Sequence, residues 1–381
     1  MFTRVINLKN DVKKKSLLLF GPRQTGKTTL LKSQFPQSTY YNLHKASVYS
    51  RFIQRPQLLR EEILAQHKIQ QPIILDEIQK LPSLLDEVQT LIDELGVRFI
   101  LTGSSARKLK RGGANLLGGR AWVRSLFPLV SLELATRFDL LKVLNHGALP
   151  FIYESQDPVE DLASYIGVYL QEEIKAEGII RKIDSFGKFL QMAALTNTEL
   201  LNFSNIASDT GVTAKTIIEY YGVLEDTLIG MLLEPFTKTK KRKAISTAKF
   251  YYFDVGVSNF LAGRSGIRPQ TELFGKVFEH FIFTELNAWK HYCSRQSRLT
   301  FWRSTSGFEV DFLIDDHTAI EVKGTEMVSE KHLRGLKALS EDLKLKHKIV
   351  VSLDSRPRKI NDIEILPYRM FLRRLWDGGF S

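Results

Sequence analysis

Along the first third of the chain, apolar residues fall in short unbroken runs: LLLF at 17–20, IIL at 73–75 and FIL at 99–101. Runs of this length without alternation fit strands buried on both faces, as in a parallel sheet. TYYNL (39–43) and AWVRSLFPL (121–129) supply two further strands. Five strands alternating with helical segments predict a doubly wound α/β sheet. From about 132 to 200 the pattern turns helical, as in DLASYIGVYLQEEI and SFGKFLQMAAL, with a polar break at ESQDPVED. Further on, Ile206 and Ala207 lie on one short helix, and Gly211 makes a turn. Val212, Ile217, Ile218 and Tyr221 recur with helical spacing, and Thr213 is placed to cap this second helix. That is a helix-turn-helix pattern. MLLEPF and FYYFD, on either side of TKTKKRKAISTAK, extend it to a winged helix. FGKVFEHFIFTELNAW is apolar nearly all round and predicts a buried helix. EVDFLI alternates, with Val310, Phe312 and Ile314 on one face and Glu309 and Asp311 on the other.

The first run stops at Gly21-Pro22-Arg23-Gln24-Thr25-Gly26-Lys27-Thr28, which fits G-x-x-x-x-G-K-[ST], and Thr29 opens the following helical pattern. Gly21 and Gly26 admit backbone angles closed to other residues, so successive amides can turn inward as an anion nest at a helix N-terminus. Lys27 then reaches the β- and γ-phosphates of ATP, and the Thr28 hydroxyl goes to Mg²⁺. The second run ends in Asp76 and Glu77, at the strand end where open α/β sheets place their ligands. Asp76 is the candidate Mg²⁺ partner and Glu77 the candidate base for the attacking water. After the third run, Thr102, Ser104 and Ser105 either sense the γ-phosphate or form a plain polar turn. Arg107, Arg111, Arg120 and Arg124 follow. One of them, Arg120 by preference, is a candidate arginine finger for a neighbouring subunit; the alternative is a basic surface loop.

In the last third, Glu279 lies on the apolar helix, where a carboxylate needs a metal or another cation. Asp311 and the strand pair Glu321 and Lys323, two residues apart and so on one face, make a candidate nuclease-type site with it. Asp311 and Glu321 are hard oxygen ligands for Mg²⁺. Lys323 would steer or deprotonate the nucleophile. The alternative is an amphipathic strand pair whose charges face water.

Composition adds a partner class. The 381 residues carry a formal charge of +12, which favours polyanions such as nucleic acid. Five basic residues within 238–243 suit phosphate contacts, whereas Glu219 and Glu225 on the second helix oppose DNA, so a protein-protein joint stays open as a reading of the winged helix. Cys293 is the single cysteine, which excludes an intrachain disulfide and a four-cysteine zinc site. No apolar run approaches the ~18 residues of a spanning helix, and MFTRVINLKNDVKKK lacks a signal-peptide core. The expectation is a cytoplasmic protein with no membrane partner.

The words GPRQTGKTTLL, IILDEIQ, FILTGSS, LLGGR, GALP, FYYFDVGVSNFLAG, FGKVFEHFIFTEL, EVDFLI and AIEVKGT span almost the whole chain in order. In them the sequence resembles the prokaryotic AAA-type ATPases that carry a C-terminal domain similar to PD-(D/E)XK nucleases. The resemblance implies ATP binding and hydrolysis through Lys27, Thr28, Asp76 and Glu77. It also implies a nuclease-like domain around Glu279, Asp311, Glu321 and Lys323. AAA-type ATPases often form rings, which makes a homo-oligomer an expected partner state. The expected organisation is an AAA-like P-loop core at 1–130, a helical linker at 131–184, a winged-helix-like domain at 185–248 and an α/β nuclease-like domain at 249–381. Two functions follow as expectations. In one, an ATPase acts on nucleic acid; in the other, an ATP-dependent switch binds protein partners while its nuclease-like domain is inert.

Overall fold

The structure is a computed structural model and describes residues 2–66, 71–104, 117–170, 183–293 and 296–380. Its contacts divide into two units, one of Thr3–Phe127 with Asp226–Leu228, the other of Pro128–Glu225 and Ile229–Ser381 with Phe2.

The first unit is built on five parallel strands: β1 (Ser16–Phe20), β2 (Tyr40–Asn42), β3 (Ile73–Asp76), β4 (Phe99–Gly103) and β5 (Ala121–Ser125), in the order β2-β3-β4-β1-β5. β1, β3 and β4 are buried throughout, as their unbroken apolar spelling requires. Leu18, Phe20, Ile73, Leu75, Phe99 and Leu101 pack with Leu84, Leu85, Val88 and Leu91 of helix α2 (Leu84–Leu95). Helix α1 (Lys27–Gln34) begins six residues after β1 ends, at Gly26, whose φ of 92° is left-handed.

The second unit has consecutive helices where the helix-turn-helix pattern is expected. Helix α3 (Ile183–Leu195) packs with α4 (Phe203–Thr210). Gly211 caps α4 at φ 69°, and α5 (Ala214–Asp226) follows, with Thr213 Oγ1 accepting from the Thr216 amide at 3.2 Å. The antiparallel hairpin of β6 (Gly230–Leu233) and β7 (Lys249–Tyr252) completes this layer. β7 starts just past residue 248, where the winged-helix-like stretch is expected to end. One expectation is corrected here. The basic stretch 238–243 is no free wing: the Lys240 and Lys241 amides donate to Asp342, and Arg242 binds Glu341 and the Ala338 carbonyl, each at 3.0 Å.

After helices α6 (Val255–Leu261) and α7 (Glu272–Tyr292) comes a six-stranded mixed sheet. Its strands are β8 (Leu299–Arg303), β9 (Glu309–Ile314), β10 (Thr318–Lys323), β11 (His347–Ser352), β12 (Arg358–Ile360) and β13 (Ile363–Pro367), ordered β12-β13-β11-β10-β9-β8. The apolar α7 is buried with Ile320, Val322, Ile349 and Val351 on one face of this sheet. Helix α8 (Arg334–Ser340) covers Val310, Leu313 and Ala319 on the other. The expected strict alternation of β9 fails. Thr300 pairs with Leu313 but Trp302 with Val310, so β9 carries one extra residue, a bulge. Val310 therefore packs with Leu313, while Phe312 and Ile314 join the α7 side.

His280 of α7 is 1% exposed and pins the layers together. Its Nε2 donates to the Tyr252 carbonyl at 2.6 Å, leaving Nδ1 to accept from Asn197 at 3.2 Å. Burial pushes its pKa down to about 4. The unfolded chain therefore takes up this proton first, and the stability the neutral ring confers is complete above pH 6.5 and lost as pH falls toward 4. The loss is roughly 3 kcal/mol at 1.36 kcal/mol per pH unit. Asp254 and Glu285, raised by burial to about 6 and about 7, act in the opposite sense. The difference between wild type and His280→Gln in urea unfolding is thus expected to shrink as pH falls from 6.5 to 4. A difference independent of pH would refute the assignment.

Candidate functional site

The residues of the phosphate-loop pattern come together at the carboxyl end of the parallel sheet. The loop leaves β1 at Gly21, where an added Cβ would stand 2.3 Å from the Leu126 carbonyl oxygen, so no larger residue fits. Gln24 is left-handed at φ 60°, and Thr25 Oγ1 donates to the Pro22 carbonyl at 2.8 Å. Arg4 braces the loop, donating to the carbonyls of Thr25 and Phe127 at 2.6 Å each. Lys27 is buried, with its ammonium on the Gly21 and Pro22 carbonyls at 2.7 and 3.0 Å. Thr29 is exposed on α1, one residue beyond Thr28.

Asp76, the last residue of β3, is the hub. Its Oδ2 accepts from Thr28 Oγ1 at 2.9 Å and from the Tyr40 hydroxyl, and its Oδ1 accepts from Thr102 Oγ1. Thr102 in turn accepts from the Glu77 amide at 3.1 Å. Glu77 sits at φ 66°, a conformation that costs a side chain about 1–2 kcal/mol and turns this one off the strand. Its Oε2 accepts from Gln79 at 2.5 Å and lies 3.5 Å from His44 Nε2. A hydroxyl and a carboxylate side by side are the donor set Mg²⁺ prefers, so the residues fit a bound Mg²⁺–nucleotide. Ser104 is buried close by, its Oγ 3.4 Å from Gln79. Tyr40, His44, Gln79 and Arg4 escaped the sequence reading; TYYNL marked a strand, and nothing in it distinguished the hydroxyl that reaches Asp76.

Arg120 stands apart from these residues. It precedes β5, whose first residue pairs with Ser16, so it lies at the opposite end of the sheet from the loop, ~16 Å along the strands. It binds Asp93 at 2.6 Å. Arg124 is likewise tied, to Asp11 at 2.6 Å. The structure therefore takes Arg120 out of the nucleotide site of its own chain. Ser105, Arg107 and Arg111 lie outside the described residues.

A second cluster joins Glu279, Asp311, Glu321 and Lys323. Lys323 Nζ lies 2.6 Å from Glu321 Oε1 and 3.9 Å from Asp311 Oδ2, and Asp311 also accepts from the Val322 amide at 2.7 Å. Burial, helped by Asp311 and opposed by Lys323, raises Glu321 to about 8. Glu321 Oε2 is buried without a hydrogen-bond partner, an orphan oxygen that a cation would satisfy. Among the described residues no three or more His, Cys, Asp or Glu gather as a metal cage. Mg²⁺ needs only one or two carboxylates, so Asp311 and Glu321 fit it. Burial works against the charge of Lys323, but Asp311 and Glu321 outweigh it and raise its pKa. This favours the ammonium form, the one that can steer a nucleophile.

Glu279 meets a cation the sequence reading did not name. Lys249 of β7, its side chain 4% exposed, lies 3.1 Å from Glu279 Oε1 and 2.7 Å from Glu309 Oε1. Tyr251 OH donates to the same Glu279 oxygen at 2.6 Å. Burial raises Glu279, and Lys249 pulls it back. Lys249, Glu279, Glu309, Asp311, Arg303 and Lys276 line an open cavity of about 440 Å³.

The class follows from this geometry and from family comparison: residues 13–135 match the AAA domain family and form an AAA-type, P-loop, nucleotide-binding domain. Residues 137–268 and 274–371 match two domains of unknown function (DUF8612 and DUF4143). Uncharacterized proteins of Mycobacterium tuberculosis and Mycobacterium bovis are each 24% identical over 311 residues, covering 78% of this chain and 67% of theirs. An uncharacterized protein of Methanocaldococcus jannaschii is 22% identical over 329 residues, covering 72% of this chain and 68% of its own. Among solved structures, a signal transduction ATPase with numerous domains and a tetratricopeptide repeat sensor, from Pyrococcus horikoshii, is similar at 13% identity and a TM-score of 0.24, covering 74% of this chain and 46% of that one. No helix among the described residues is long and apolar enough to cross a membrane.

Gly21→Ala is expected to lower stability by about 1–3 kcal/mol through overpacking on Leu126 and to abolish nucleotide binding in a fluorescent-nucleotide titration. Gly96→Ala, with no atom within 4 Å but a φ of 65°, should cost about 1 kcal/mol and leave binding intact. Equal losses of binding would show that the Gly21 effect is not local.

Proposed function

We propose that this protein is a Mg²⁺-dependent ATPase whose AAA-type domain controls a nuclease-like C-terminal domain acting on nucleic acid. The observation that carries the reading is the Asp76 hub, where Thr28, Tyr40 and Thr102 converge on one carboxylate next to Glu77. Gly21–Gly26 would wrap the phosphates with amides, and Lys27, released from its two carbonyls, would neutralise them. Thr28 and Asp76 would hold Mg²⁺, which draws charge from the phosphoryl oxygens when bound. Glu77, fixed by Gln79, would take the proton of the attacking water.

At the C-terminus, Asp311 and Glu321 would hold Mg²⁺, which acidifies water and clamps a phosphodiester when bound. Lys323 would stabilise charge on the phosphate as a fixed ammonium. The helix-turn-helix and the exposed lysines of 238–243 would supply backbone contacts, in keeping with the +12 charge. On this reading the winged-helix and PD-(D/E)XK-like assignments apply to the middle and the end of the second unit.

A second reading has its own support. The Lys249 ammonium on Glu279 and Glu309 leaves the cluster with fewer open carboxylates, as in an ATP-dependent switch that binds protein partners and does not cut.

Lys27→Ala is expected to abolish ATP turnover with the fold intact by circular dichroism; retained turnover would refute the site. Asp311→Ala is expected to abolish Mg²⁺-dependent cleavage of mixed DNA and RNA substrates while ATP turnover persists. No cleavage by wild type under any nucleotide or metal condition would favour the switch. Nucleic-acid binding, if it runs through phosphates, should weaken at least tenfold between 50 and 200 mM salt, roughly as log-linear counterion release requires.

A further inference from the structure

We propose that Lys249 is a protein-supplied substitute for a metal ion, seated on Glu279 and Glu309 and delivered to them by the helix-turn-helix layer. The ammonium has the position a cation needs. It bridges two carboxylates from different elements, α7 and β9, at 3.1 and 2.7 Å, with its own side chain 4% exposed at the wall of the open cavity. Tyr251, two residues on and therefore on the same face of β7, donates to Glu279 as well and stacks on Phe283 of α7 with ring centroids 4.0 Å apart. The opposite face of β7, Phe250 and Tyr252, is buried in the aromatic core of the helix-turn-helix with Phe189, Tyr220 and Tyr221. One strand thus carries the cation on one side and its anchorage on the other. The charge on the Glu279–Glu309 pair is set by the docking of that layer, whereas the Asp311–Glu321 pair has Lys323 from the sheet itself, on the strand of Glu321.

Two acids left facing one another without Lys249 would recruit a divalent ion in its place, and this can be measured whether or not the domain cleaves. In the full chain, Lys249→Met is expected to bind one more Mn²⁺ than wild type by isothermal titration calorimetry. Its unfolding midpoint in EDTA should fall by roughly 6–12 °C and recover on adding Mn²⁺. Lys249→Met/Glu279→Gln removes both charges and leaves Glu309 with Arg303, 3.3 Å away. It should regain stability in EDTA and lose the extra Mn²⁺. An unchanged Mn²⁺ stoichiometry in Lys249→Met overturns the proposal. So does a Lys249→Met chain that stays unfolded in Mn²⁺ while the double variant folds.

Discussion

A carboxylate in the middle of an apolar helix has to be met by positive charge, and the second unit is organised around meeting it. Glu279 stands among Phe278, Phe281, Ile282 and Phe283 on α7, where an unpaired charge would cost several kcal/mol. The sheet strands beside it supply acids, Glu309 and Asp311, and their cations, Arg303 and Lys323, are held by Glu309 and Glu321. The cation comes from β7, a strand of another layer, and its arrival fixes how that layer lies. Phe250 and Tyr252 must then face the helices, and His280, one residue after Glu279, closes the same junction through the Tyr252 carbonyl. Removing one partner of such a buried pair is far more damaging than replacing both, because the survivor keeps its charge without its solvation.

The first unit solves a different problem with the same economy of position. Parallel strands all end at one edge, so side chains distant in sequence converge there without further design. Asp76, Thr102 and the loop after Phe20 come from three neighbouring strands in the order β3-β4-β1. The left-handed backbone of Glu77 then turns one carboxylate away from the other, so that adjacent residues face different tasks.

The parallel sheet was legible because strands buried on both faces have no freedom to alternate. The phosphate loop was legible because its glycines and lysine answer a single geometric demand. Glu279 was legible as a charge in want of a partner, and the partner was not, since Lys249 sits 30 residues away in a stretch that reads as an ordinary strand after a basic run. The facing of β9 was misread because a bulge leaves no mark in an alternating sequence; Val310 and Leu313 share a side only through the register with Trp302 and Thr300. Tyr40 was missed for a similar reason, as a tyrosine in a short strand is more often core than hydroxyl donor. Contacts made by local spelling were read, and contacts made by tertiary register were not.

Were Arg120 to serve a nucleotide site, its position would restrict the symmetry of the sharing. An arginine at the amino edge of one sheet can approach a phosphate loop at the carboxyl edge only on another copy. That contact joins two unlike surfaces. A self-complementary twofold dimer is not required by it, and repetition of the same step leads to a closed ring or an open helical filament. In such an assembly each site depends on its neighbour, so the Asp93 that now holds Arg120 would become the competitor that every new subunit contact has to displace.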